Sequence, residues 1–248
     1  MVICYYPKVY IISKLGLFME KVIALVFALF VLLNEFMLTI NVNIAAFMYL
    51  VLMSVSLFLL AKQETLNDSA KMIVVLLCVP LVRIAGLFMD ISYVWKVSLG
   101  SGILLFLGIY YMYKFNIDIG LNLKSSWMFT VVISIGAVVG AFGNILFDVN
   151  GGLVFVAILP MVVFSEEIFF RGLMQNLIEK SCGVYFSIII PAVIYGALSL
   201  YLGMGLAVLF FISSIFSGLV YFSTRNIFLS IVFSLTLSIF VFAIPGLI

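Results

Sequence analysis

The sequence predicts an all-α fold, a polytopic transmembrane helical bundle of about eight to nine spans. Three observations carry this prediction. Of the 248 residues, 67% are hydrophobic and only 9% are charged, against roughly 45–50% and about 25% in soluble domains. The mean hydropathy is +1.40. The lysines and arginines, finally, gather in every second connection between apolar runs.

A helix that crosses a bilayer needs about 20 predominantly apolar residues, and nine runs approach that length. An amphipathic or interfacial stretch, Tyr5–Leu17, precedes the first, Val22–Ile40. The second is Ile44–Ala61, and the polar link Lys62–Ser69 follows it. Met72–Met89, interrupted by Pro80 and Arg83, is the third, and Tyr93–Met112 the fourth. A second polar link, Lys114–Ser126, leads to the fifth, Trp127–Phe147. The remaining four are Gly152–Ile178, Val184–Leu202 with Pro191 inside it, Met204–Phe222 and Ile227–Leu247. In the fifth run Gly136-Ala137-Val138-Val139-Gly140 makes a ridge of small residues that lets another helix approach closely.

Charge tests this map. With a cytoplasmic N-terminus, the inner connections hold Lys8, Lys14, Lys21, Lys62, Lys71, Lys114, Lys124, Lys180 and Arg225, nine of the 12 basic residues. The outer connections, around Asn41, Asp90, Asp148 and Gly203, hold Lys96 alone. This is the positive-inside pattern, and it places the protein in a cell membrane, most simply the plasma membrane, with lipid as its surroundings.

Composition also excludes functions. The basic residues are spread singly, so no nucleic-acid footprint exists. The chain has no histidine, and Cys4, Cys78 and Cys182 lie far apart, so neither usual kind of zinc site is expected, nor any cofactor. The N-terminus lacks the pattern of a cleavable signal, because Lys8, Lys14 and Lys21 interrupt it.

The polar residues inside the apolar runs carry the functional information. Ser165-Glu166-Glu167-Ile168-Phe169-Phe170-Arg171-Gly172 places three charges within six residues inside the sixth run. Each costs roughly 2.5–3.5 kcal/mol at a helix centre, and charges retained there are functional by default. On a helix Glu167 and Arg171 are i and i+4 and pair in the favourable acid-first order, while Glu166 points about 100° away. Glu166 then needs a partner on another helix, a proton or a water, and a carboxylate beside a trapped water is a candidate general base. Arg83, near the middle of the third run, is the expected cross-helix partner of that remaining carboxylate, with Glu35 as the alternative.

Glu-Glu-x-x-x-Arg followed by Gly in a late span resembles the CAAX prenyl protease and bacteriocin-processing (CPBP, Abi) family of intramembrane endopeptidases. Ile119-Gly120-Leu121-Asn122 resembles the lead-in to that family's core. The resemblance implies N-terminal transmembrane helices over 1–117 and a protease-like core over 118–248. It also implies that a later span carries F-x-x-x-H and another H-x-x-x-N or H-x-x-x-D, with the carboxylate activating water. Here Tyr195-Gly196-Ala197-Leu198-Ser199 stands at the first of these, with Ser199 in place of histidine. The run Thr224 to Ser234 resembles the second, with Ser234 in place of histidine and Ser238 at the Asn or Asp position.

The expected site is therefore Glu166, Glu167, Arg171, Ser199, Ser234 and Ser238, supported by Tyr195 and Arg83, gathered into one polar chamber. A hydroxyl donates one hydrogen bond but takes no proton near neutral pH. Losing one oxyanion donor alone costs about 10²–10³ in rate, so the sequence predicts a glutamate-dependent endopeptidase fold with reduced or lost activity, a pseudoenzyme. The implied substrate is a prenylated or membrane-embedded peptide or protein. The alternatives are a non-catalytic scaffold or bacteriocin-immunity-type protein, or a small transporter using the carboxylates as a relay.

Overall fold

The apolar runs become helices with few surprises, and the connections between them are short. The computed structural model describes residues 6–61, 68–89, 93–120, 126–147 and 153–242. Cys4, Asp90, Asp148, Leu121, Asn122, Lys124, Leu247 and most of the link that begins at Lys62 lie outside the described residues. The helices are α1 (Tyr6–Ile40), α2 (Val42–Ala61), α3 (Asp68–Phe88), α4 (Tyr93–Phe115), α5 (Ser126–Phe147) and α6 (Leu153–Glu167). A π-helical segment, Ile168–Gln175, joins α6 to α7 (Asn176–Cys182), making one continuous rod. Then come α8 (Val184–Leu198), a 3₁₀ turn (Leu200–Leu202), α9 (Met204–Thr224) and α10 (Ile227–Phe242).

Among the described residues five helices are long and apolar enough to cross a membrane: Phe18–Ile40, Val42–Ala61, Asp68–Phe88, Lys96–Phe115 and Met204–Thr224. The protein is an all-α integral membrane bundle. The interfacial stretch is not a separate element: α1 runs unbroken from Tyr6, with Pro7 in its first turn where proline is tolerated. Pro80 and Pro191 likewise leave their helices whole, as membrane helices allow when neighbours re-satisfy the freed backbone groups. Asn41 sets the sharp turn between α1 and α2, its Oδ1 accepting from the N–H of Asn43 at 3.0 Å and of Ile44 at 3.2 Å, an N-cap.

The rod from Leu153 to Cys182 is the axis of the bundle. Every residue of its π segment is buried, and the rod packs against α1, α3, α4, α8, α9 and α10. On one side α1, α3, α4 and α8 close a large apolar core around Phe169, Phe170, Leu173 and Leu177. On the other, α5, α9 and α10 build a second core around Leu209, Phe210, Phe233 and Leu237. Tyr195 packs against both.

Two close approaches fix the second half. A Cβ on Gly136 would stand 2.9 Å from the Phe233 carbonyl oxygen, and one on Gly140 2.6 Å from that of Leu237. The small-residue ridge of α5 is thus the seat of α10. Further on, the N–H of Ile227 donates to the Ile119 carbonyl at 3.3 Å, and a Cβ on Gly120 would lie 1.7 Å from the Arg225 carbonyl oxygen. Gly120 has φ +62°, a left-handed conformation that glycine adopts without penalty. The segment before α5 is thereby pinned to the α9–α10 turn, where Arg225, also left-handed at φ 51°, is tied to Glu179 by two hydrogen bonds, one of them 2.8 Å long.

Gly140→Ala should lower stability by about 1–3 kcal/mol through overpacking, because the nearest obstacle is backbone rather than a flexible side chain. The check is the thermal midpoint of the detergent-solubilised protein; an unchanged midpoint would mean that α5 and α10 do not meet this closely.

Candidate functional site

The sixth apolar run ends its regular α-helix at Glu167 and continues as the π segment, a geometry frequently found at functional sites. The consecutive carboxylates leave the rod in different directions, as helical geometry demands. They do not share one chamber. Glu167 faces α9 and α10, whereas Glu166 faces α8 and a cavity bordered by α3 and α4.

Glu167 is tied on every side. Ser217 of α9 donates to Oε2 at 2.8 Å, Ser234 of α10 donates to Oε1 at 2.6 Å, and Ser230 also donates to Oε2. Arg171 is one turn away, with Nε 3.7 Å from Oε2, and the two side chains are 2% and 9% exposed. Arg171 spends its donors on α9 rather than on the carboxylate. Its Nη2 reaches the Ser214 carbonyl at 2.6 Å and the Ser214 hydroxyl, and its Nε reaches the Ser217 hydroxyl at 3.3 Å. Gln175, a turn further, donates to the Gly218 carbonyl at 3.0 Å. Glu167 is paired and hydrogen-bonded, the condition under which a buried charge is tolerated, whereas the Nη1 of Arg171 is buried with no hydrogen-bond partner among the described residues.

Among the described residues Glu166 keeps one hydrogen-bond partner. The Tyr195 hydroxyl donates to its Oε2 at 2.9 Å, and the Tyr195 ring is held edge-on between Phe170 and Phe210, with centroids 5.5 and 5.9 Å away. The half-buried carboxylate lines an open cavity of about 300 Å³ together with Arg83, Ser101, Tyr195 and Ser199. Ser199, at the end of α8, donates back to the Tyr195 carbonyl at 3.0 Å. A water in this cavity would have a carboxylate beside it and no imidazole, since the chain has none.

Arg83 requires a correction. It does not neutralise the remaining glutamate of the motif but forms a bidentate pair with Glu35 of α1, at 2.6 Å for both Nε to Oε1 and Nη2 to Oε2. Glu35 is 1% exposed and also accepts from the Tyr49 hydroxyl at 2.5 Å. Hydropathy gives depth along a span but not the face, and the buried face of α1 carries Glu35 toward α3. Arg83 also donates to the Leu198 carbonyl at 3.1 Å and lies 5.4 Å from the centre of the Tyr201 ring. It thus holds the end of α8 that forms the cavity wall.

The expected site residues therefore divide. Glu167, Arg171 and Ser234 meet on the α9–α10 side, while Glu166, Tyr195 and Ser199 meet at the cavity. Ser238 is buried on α10, but among the described residues the hydroxyls that reach Glu167 are Ser217, Ser230 and Ser234. Sequence reasoning passed over Ser214, Ser217 and Ser230. Their signal was present: Ser213-Ser214-x-x-Ser217-Gly218 in α9, and a serine every fourth residue, 230, 234 and 238, in α10. Among the described residues no three cysteine or acidic side chains gather where a metal would bind.

Residues 148–240 match the family model described as type II CAAX prenyl endopeptidase Rce1-like. No curated protein and no solved structure matches the chain.

Two outcomes follow from this geometry. Ser230→Ala should destabilise the protein by about 1–2 kcal/mol, between the mean for a hydrogen bond between membrane helices and the value for one to a charged group. Thermal unfolding in nanodiscs measures it, and an effect no larger than that of Ser223→Ala, a surface serine, would argue against the bond. Arg83→Gln should cost about 3 kcal/mol by leaving Glu35 buried and unpaired. Adding Glu35→Gln should recover most of that loss in a double-mutant cycle; additive losses would mean that the pair is not coupled.

Proposed function

From the premise that the chain belongs, through residues 148–240, to the Rce1-like family of type II CAAX prenyl endopeptidases, we propose that it holds a prenylated or membrane-embedded peptide in the cavity beside Glu166 and cleaves it very slowly or not at all. One observation carries this proposal. Three serine hydroxyls hold the buried Glu167, whereas Glu166 lines the cavity and would meet a substrate there without an imidazole.

Hydrolysis at this site would ask one carboxylate to do all the proton work. Glu166 would take a proton from water as the water oxygen adds to the amide carbonyl. The same proton would then pass to the departing nitrogen as the C–N bond breaks. Tyr195 orients the carboxylate but has its hydroxyl committed to it. Ser199, which stands where the resemblance places a histidine, has its hydroxyl turned back to the Tyr195 carbonyl, and a lost oxyanion donor is worth roughly 10²–10³ in rate. Binding does not suffer in the same way, because the apolar walls from α3 and α4 are intact. The reading places the protein in the plasma membrane with its N-terminus in the cytoplasm, in keeping with the distribution of Lys and Arg.

The test uses the purified protein in nanodiscs with a prenylated peptide ending in a free tetrapeptide. Binding is followed by fluorescence anisotropy and product by mass spectrometry. Saturable binding without product, in both the wild type and Glu166→Ala, is the expected result. Product that forms with the wild type and vanishes with Glu166→Ala would make the protein an active endopeptidase. Absence of binding by either would end the holding role.

A further inference from the structure

Lys96 breaks the charge pattern of the whole chain. It is the single basic residue that the positive-inside arrangement leaves on the outer side. The structure places it on α4, half-buried, in the lining of the cavity that Glu166 faces. Arg83 lines the same cavity but is neutralised by Glu35. Among the described residues Lys96 has no ion-pair or hydrogen-bond partner, so the cavity contains one uncompensated anion and one uncompensated cation.

A second side chain on α4 is also unspent. Ser101 is 4% exposed and lines the cavity. Other serines within the helices, Ser54, Ser56, Ser134 and Ser165, turn their hydroxyls back to the carbonyl four residues earlier. Among the described residues Ser101 makes no such bond and has no other partner. Between Lys96 and Ser101 the helix presents Gly100, and Gly86 of α3 has nothing within 4 Å of where a side chain would begin. A Cβ on Gly100 would touch Val82 at 3.4 Å, so the room in this wall lies at Gly86, and both polar side chains line the cavity.

We infer that Lys96 and Ser101 form a subsite for the free C-terminal carboxylate end of the bound peptide, Lys96 taking the carboxylate and Ser101 a backbone amide group near it. This rests on the cavity being the peptide site. Charge decides the polarity of binding. A carboxylate is repelled by Glu166 and drawn to Lys96, so the peptide lies with its terminus at α4 and an interior amide beside Glu166 and Tyr195. Both helices of this wall precede residue 148, where the family match begins, so the subsite is a property of the N-terminal half.

The experiment compares two prenylated peptides that differ only at the terminus, one with a free carboxylate and one amidated, on the full-length protein in nanodiscs of neutral lipid. The wild type should bind the carboxylate form about tenfold more tightly, with the preference shrinking as salt rises. Lys96→Gln should bind both forms equally, at the level of the amide, and Lys96→Arg should restore the preference. Ser101→Ala should weaken both forms severalfold and keep the preference. Equal binding of the two peptides by the wild type, or a preference that survives in Lys96→Gln, would overturn the subsite while leaving the holding role intact. Equal peptide binding joined to tighter binding of oleate than of oleyl alcohol would give Lys96 to a lipid headgroup, and would also overturn it. If neither peptide binds, the holding role and the subsite fall together.

Discussion

The carboxylate of Glu167 is the point at which three helices are tied together. It leaves the end of α6, takes hydrogen bonds from Ser217 of α9 and from Ser230 and Ser234 of α10, and stands beside Arg171 of the same rod. In a bilayer, apolar surfaces gain little by leaving lipid for protein, so helices associate through close packing and interhelical hydrogen bonds. A charged acceptor with several donors is a strong tie of this kind. It fixes the rotation of the rod, and the rod's rotation decides where Glu166 points. The ridge of small residues that seats α10 on α5 completes the constraint from the far side.

The same arrangement assigns the two acidic residues different work. Where the resemblance places histidines, hydroxyls now stand. On the α10 side they turn the neighbouring glutamate into part of the scaffold. A buried ion pair of this kind is weak evidence for added stability but a credible source of a unique packing. Glu166 escapes that role because the adjacent position on a helix faces a different neighbour. Its single tyrosine partner is itself wedged between aromatic rings, which steadies the carboxylate at the border of the cavity. What remains is a positioned carboxyl group at the edge of a cavity whose walls are largely apolar.

The N-terminal helices are more than a membrane anchor for this site. Arg83 and Glu35 join α3 to α1, and Arg83 also grips the last turn of α8 through the Leu198 carbonyl. The cavity wall opposite Glu166 is therefore built by helices outside the region that matches the family, and its dimensions depend on a buried charge pair that the family's motif does not contain.

By itself the sequence determined the class of the fold, the order and near-bounds of its helices, and the pairing of Glu167 with Arg171. Those depend on apolar run length and on spacing along one helix, and both are local. It also marked the α5 ridge as a place of close approach, and the family resemblance pointed to Tyr195 as part of the acidic motif's site. Only the tertiary structure decided which face of each span meets which partner. That step moved Arg83 from the motif to Glu35, divided one expected chamber into two environments, and drew in Ser214, Ser217 and Ser230. The reason is geometric: depth and periodicity leave each helix free to rotate and to choose neighbours, and a hydroxyl in a span has the same sequence signature whether it closes on its own backbone or reaches across to a carboxylate.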